Sequence, residues 1–160
     1  MTDQPTRGPG VRFPPPLMFL LGLAAGWAIP FALFDWPLLS AARAHWRWIP
    51  AAAFGLAALW LLVSALGGFR RKGNDPRPWR EDSALVVEGI YEHTRNPMYL
   101  GMAMAYGAIT LALNTLWPLL MLVPVLLLIR YYVIAREERY LAQLFGDAYR
   151  DYCRQVRRWF

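Results

Sequence analysis

"YLGMAMAYGAITLALNTLWPLLMLVPVLLLIRYYVI", residues 99–134, carries a single charge, Arg130. A membrane-spanning helix needs about 20 residues, with about 17 still workable. The run is therefore long enough for one very long helix or for two short ones. Its middle reads "LNTLWP" (113–118). Asn114 and Thr115 followed by Pro118 are turn and cap chemistry, which favours two. The expectation is a tight helical hairpin whose first arm, Pro97 to Leu113, sits at the short limit.

Two more apolar stretches precede it, Leu17–Phe34 and Trp48–Leu66. Hydrophobic residues make up 57% of the 160-residue chain and charged residues only 18%, too apolar for an ordinary soluble domain. The formal charge of +6 invites a nucleic-acid reading. Its basic residues lie between apolar runs, where topology and anionic lipid head groups explain them better, so no nucleic acid is expected. Cys153, the single cysteine, excludes an intramolecular disulfide and a Cys-only metal site, and no metal site is expected.

Orientation follows the basic residues. Segment 67–98 and the tail after Ile134 hold six each, whereas 35–47 holds Arg43 and Arg47 and the hairpin turn none. Both termini are then cytoplasmic, and Trp36, Trp46, Trp48 and Trp117 form an aromatic belt at the opposite interface. The fold expected is all-α, a polytopic membrane protein with four transmembrane helices, the last two a tight hairpin, followed by a C-terminal amphipathic interfacial helix. Its parts are a flexible N-terminal tail (1–16), a first transmembrane pair (17–66), a cytoplasmic connector (67–98), the hairpin (99–134) and an amphipathic cytoplasmic segment (135–160).

The connector enters the third span through "GIYEHTRNPMYLG" (89–101). Asn96 is a good N-cap and Pro97 at the first helical position has no N–H to leave unsatisfied. Met98, Tyr99 and Leu100 present N–H groups without intrahelical partners, so the helix start, with Arg95 beside it, is a candidate anion site. At the far end of the hairpin, Val133, Glu137, Leu141 and Leu144 fall on one helical face. Glu137 thus sits in an apolar stripe at the membrane boundary, where a carboxylate needs a partner. Glu138 points about 100° away, so the two acids cannot serve one target. Beyond them Leu144, Phe145, Ala148, Tyr149, Tyr152 and Val156 oppose Arg150, Arg154 and Arg157, an amphipathic helix expected to lie on the membrane surface and to break at Gly146-Asp147.

These motifs, "GIYEHTRNPMYLG" and then "EE…LFGDAYRDYCRQVRR", resemble the isoprenylcysteine carboxyl methyltransferase family, which is similar in turn to the phospholipid N-methyltransferases. The likeness covers residues 83–158; the first two stretches match only in being apolar. It implies an integral membrane methyltransferase that uses S-adenosylmethionine to methylate a carboxylate, amine or thiol of a lipophilic small-molecule or lipidated acceptor on the cytoplasmic face. It also implies a set of cofactor contacts: Ser83, Ala84, Leu85 and Val86; Tyr91; Asn96, Pro97, Met98 and Tyr99; and Glu137. Arg95, beside the helix start, and Glu138, next to Glu137, complete the candidate cofactor-binding set. Two departures stand out. Asn96 replaces the family's His. Val133 replaces an arginine that holds prenylcysteine substrates, leaving Arg130 and Arg136 as candidates for orienting the acceptor. An NADPH-dependent membrane reductase and a non-enzymatic membrane subunit are the alternative readings.

Overall fold

Prolines and one asparagine set the helix boundaries. The computed structural model describes residues 8–34, 36–71, 73 and 84–159. They form α1 (Pro15–Ala32), α2 (Trp48–Arg71), α3 (Pro97–Leu113), α4 (Leu116–Leu128) and α5 (Ala135–Gln155). Two 3-10 turns, Ala41–Arg47 and Gly89–Glu92, and a π-helical turn, Ile129–Ile134, complete the helical elements. Both α1 and α3 begin on a proline, whose missing N–H costs nothing in a first turn. Among the described residues there is no strand, only an isolated bridge between Pro37 and Thr115.

The long apolar run breaks where its turn chemistry indicated. Asn114 closes α3 in the left-handed region, φ 56°, a conformation that asparagine tolerates better than most residues. Its side chain then clamps the neighbouring loop: Leu39 N–H donates to Oδ1 at 2.9 Å, and Nδ2 donates to the Leu39 carbonyl at 3.1 Å. Trp117 Nε1 donates to the Phe34 carbonyl at 2.8 Å, and the Phe34 and Trp117 rings meet edge-on at 5.4 Å. Trp36 and Trp117 therefore share one end of the bundle, the Trp36 carbonyl accepting from Leu116 N–H at 2.8 Å.

The second arm does not stop at Ile134. It continues through the π turn into α5, and this helical rod, Leu116–Gln155, is kinked at Gly146. That rod and Arg43–Arg71 are long and apolar enough to cross a membrane, while the apolar helices Pro15–Ile29 and Pro97–Leu113 are shorter. Pro124 interrupts the hydrogen-bond ladder inside α4, and the wider π turn follows five residues later.

The two arms of the apolar run, α3 and α4, are not each other's main packing partners. α3 packs chiefly on α2, and α4 on α1. The reason is the distribution of small residues, which allow backbones to approach where apolar solvent supplies no driving force. On α1, a Cβ at Gly22 would collide with the Val125 side chain, and one at Gly26 with the backbone of Pro118. On α3, a Cβ at Gly101 would lie 2.9 Å from Leu62 Cγ and 3.3 Å from the Ala58 carbonyl. A single polar tie crosses from α3 to α4, the Tyr106 hydroxyl donating to the Pro118 carbonyl at 2.7 Å, which satisfies a buried hydroxyl.

Two sequence expectations change. The segment anticipated as a flexible tail is described from residue 8, and part of it is core: Val11 is 2% exposed and packs in the cluster of Phe19, Tyr99, Ile129 and Val133. The apolar face of α5 is not left for the membrane surface either. Tyr149, Tyr152 and Val156 are buried against Leu85 and Val87 of the connector, whereas Leu144 and Ala148 are exposed. An apolar stripe needs any apolar cover, and the connector reaches it first. The expected break at Gly146 is present, with φ 54° and ψ −122° inside α5.

Candidate functional site

The first turn of α3, the first turn of α5, the Gly89–Glu92 turn and the last residues of the chain converge at one end of the bundle. Pro97 starts α3 so that Tyr99 points inward and is buried. Glu137, two residues beyond the start of α5, faces it and accepts the Tyr99 hydroxyl proton in a short hydrogen bond. Val133, one turn earlier on the same face, is fully buried, so the stripe does carry a half-buried carboxylate into the protein.

Glu138 faces elsewhere, as the helical geometry required. Arg158 grips it from two nitrogens, Nε to Oε1 at 2.9 Å and Nη2 to Oε2 at 2.6 Å. Arg95 Nη1 adds a third contact to Oε1 at 3.1 Å. Arg95 also donates to the Cys153 sulfur at 2.7 Å, a contact that nothing in the sequence pattern indicates. The Glu138 hydrogen bonds push the Arg158 pKa up from its ordinary value, against the opposing effect of burial.

Asn96 does not cap α3 with its side chain, contrary to expectation. Its Nδ2 donates instead to the Arg158 carbonyl at 3.0 Å, joined there by the Thr94 hydroxyl at 3.2 Å. The Arg95 N–H donates to the Arg157 carbonyl at 3.1 Å. The chain's last residues thus lie across the start of α3, and Trp159 packs on the cluster that contains Tyr99. Arg95, anticipated as the partner of a ligand carboxylate, is paired instead with Glu138, which it shares with Arg158. Three donors beside the helix start are likewise occupied by main-chain carbonyls.

Tyr91 is buried, meets Phe69 edge-on at 5.7 Å, and its carbonyl accepts the Tyr152 hydroxyl at 2.7 Å. Burial holds the Tyr152 hydroxyl well above the usual tyrosine range, consistent with a donor that keeps its proton. Met98 packs with Tyr91, Val86 and Ala65, close to Gly68, where a Cβ would crowd the Tyr91 ring at 3.3 Å. Of the connector residues, Val86 joins this cluster and Leu85 joins the Tyr149 cluster; Ala84 is half-buried, and Ser83 lies outside the described residues. Arg130 is exposed and stacks over Tyr131 at 5.5 Å. Arg136 lies 4.0 Å over the Tyr132 ring and donates to the Tyr132 carbonyl at 2.9 Å.

Sequence reasoning missed Arg158, Thr94 and Cys153. Arg158 lies twenty residues beyond Glu138 and past the last helical turn. No periodicity connects the two, since the kink at Gly146 and the extended backbone at Val156 interrupt the helix between them.

Comparison with known proteins gives a consistent result. The chain is 44% identical over 62 residues to an uncharacterized protein of Haemophilus influenzae, covering 39% of this chain and 98% of that relative. No solved structure matches. The phospholipid methyltransferase family profile matches residues 46–148, from just before α2 through the start of α3 and the Glu137–Glu138 pair into the second half of α5. The protein belongs to the phospholipid methyltransferase family.

Proposed function

We propose that the protein is a four-span membrane enzyme that transfers a methyl group from S-adenosylmethionine to a lipophilic acceptor, with its site on the cytoplasmic face. The observation that carries this reading is the Tyr99–Glu137 pair, which links the start of α3 to the start of α5 beside Tyr91. Segments far apart in sequence, each implicated by the family resemblance, meet at one end of the bundle.

The residues present fit such a donor unevenly, and the unevenness is informative. A half-buried carboxylate suits ribose hydroxyls or an ammonium group through charge-assisted hydrogen bonds. A carboxylate has about four acceptor positions, so the Tyr99 hydroxyl does not saturate Glu137. The aromatic faces of Tyr91 and Tyr99 suit adenine or a sulfonium cation. The ligand's own carboxylate falls to the Met98 and Tyr99 N–H groups of α3, because Arg95 is already engaged by Glu138 and Cys153 and the Leu100 N–H is bonded to the Asn96 carbonyl. When bound, the donor supplies an already activated methyl group. The chain's residues then need only align the acceptor in line with it and exclude water. Leu85, Val86 and Met98 supply the apolar cover, and the Glu138–Arg158 clasp holds the C-terminal residues across the site.

Six basic residues in 67–98 and six after Ile134 support a cytoplasmic location for this end of the bundle. Calorimetric titration of the purified protein with S-adenosylhomocysteine and with NADPH tests the reading. Binding of the first and not the second is expected. Binding of NADPH alone would support the reductase reading, and binding of neither a non-enzymatic subunit.

A further inference from the structure

α5 ends at Gln155, and Val156 continues in extended backbone, φ −116° and ψ 129°. Val156 is anchored, buried with Tyr149 and Tyr152 against Leu85 and Val87. Beyond it Arg157, Arg158 and Trp159 belong to no helix, and other segments hold them in place. The Arg157 carbonyl accepts the Arg95 N–H at 3.1 Å. The Arg158 carbonyl accepts Asn96 Nδ2 at 3.0 Å and the Thr94 hydroxyl at 3.2 Å. The Arg158 guanidinium closes on Glu138, and Trp159 packs against the cluster that contains Tyr99.

This hold is polar and only partly shielded. Arg157 is exposed, and Arg158 and Trp159 are half-buried. Water competes for each such hydrogen bond, so each is individually weak. A segment with few buried apolar contacts opens more readily than the helices around it. What the segment covers is specific: Thr94, Arg95 and Asn96 directly precede Pro97, the first residue of α3. Main-chain carbonyls thus occupy donors at the helix start beside the Tyr99–Glu137 pair. Residues 157–159 lie outside the matched span 46–148, so membership of the family does not account for them.

We propose that residues 157–159 are a latch over the candidate site. The latch swings about Val156, opens by releasing Glu138 and the donors of Thr94, Arg95 and Asn96, and gates passage of ligand to the start of α3. Element-terminal residues commonly serve as such hinges. The opening itself stands on these contacts, whereas the identity of the gated ligand rests on the proposed function. The latch grips protein groups whether or not the site is filled. Weakening it therefore speeds entry and exit together and leaves affinity nearly unchanged.

Hydrogen exchange at the Arg95 amide, resolved by fragmentation mass spectrometry of the full chain in detergent, reads opening without any ligand. In Arg158→Ala this amide should exchange roughly ten-fold faster or more, while Gly107, inside α3, exchanges as in the parent. Surface plasmon resonance with S-adenosylhomocysteine should show association and dissociation both faster by roughly five-fold or more, with Kd within about three-fold of the parent. Trp159→Ala should act in the same direction through a different hold. Arg154→Ala, which removes an exposed arginine paired with Asp151, should match the parent in both measurements. Unchanged Arg95 exchange in both latch variants, or equal acceleration at Gly107, overturns the proposal. So do unchanged ligand rates, or affinity lost through faster dissociation alone, which marks a direct ligand contact. Absence of S-adenosylhomocysteine binding in the parent overturns the methyltransferase reading instead, and the exchange measurement alone then decides the latch.

Discussion

Neighbouring acids with different duties give the sharpest test of the site. Glu138→Gln removes the carboxylate that balances Arg95 and Arg158, whose side chains are 14% and 32% exposed. Breaking a buried pair by removing one partner costs about 3–5 kcal/mol. Partial exposure of Arg158 lets water recover some of that loss, so about 3 kcal/mol is expected. For a chain of this length that corresponds to a fall in Tm of about 6–12 °C. Glu137→Gln leaves the clasp intact and keeps an acceptor for the Tyr99 hydroxyl, so its Tm should stay within a few degrees of the parent. It removes a charged acceptor from the site, however, and hydrogen bonds to charged groups contribute about 1.5–3 kcal/mol. S-adenosylhomocysteine affinity should then drop roughly 10- to 150-fold in Glu137→Gln. In Glu138→Gln, measured below its lowered Tm, the drop should be far smaller. Thermal unfolding in detergent and calorimetric titration of both variants supply the two readouts. Equal effects of the two substitutions on both measurements, or the reverse pattern, would refute the division of labour.

Three further outcomes are expected. Gly22→Ala should destabilise by creating a clash with the Val125 side chain, and Val125→Ala should rescue it; Gly26→Ala should not be rescued by any side-chain change, because its obstacle is the Pro118 backbone. Thermal unfolding of the single and double variants decides this, and full recovery of Gly26→Ala by a side-chain substitution would contradict it. Reporters active only in the cytoplasm, fused after Phe160 and after Gly73, should both give signal; silence at either site sinks the proposed orientation. Burial holds Tyr149 and Tyr152 above the usual tyrosine range, so the folded state keeps protons that the unfolded chain releases. Stability should be complete below about pH 10 and decline as pH rises beyond it, more shallowly in Tyr149→Phe. A flat profile in the parent would contradict this.

Local chemistry in the sequence determined the helical fold, its main breaks and one acid of the site. Asn114 reverses the apolar run, Pro97 opens α3 and Gly146 bends α5, because each acts through its own backbone preferences and needs no distant partner. Glu137 was legible for a similar reason: a carboxylate on an apolar helical stripe declares that something must satisfy it. Tertiary structure decided the rest. The preference of α3 for α2 and of α4 for α1 depends on Gly22, Gly26 and Gly101 meeting particular neighbours, and a missing side chain does not say which surface will approach it. The covering of α5 by Leu85 and Val87 replaced the expected membrane contact, because an apolar face specifies burial but not what buries it. Asn96 and Arg95 had convincing local roles as a cap and an anion partner. They were redirected by Arg158, which lies beyond both the kink at Gly146 and the end of α5. Hydrogen bonds and ion pairs between residues tens of positions apart depend on where the chain returns, and sequence spacing does not encode that.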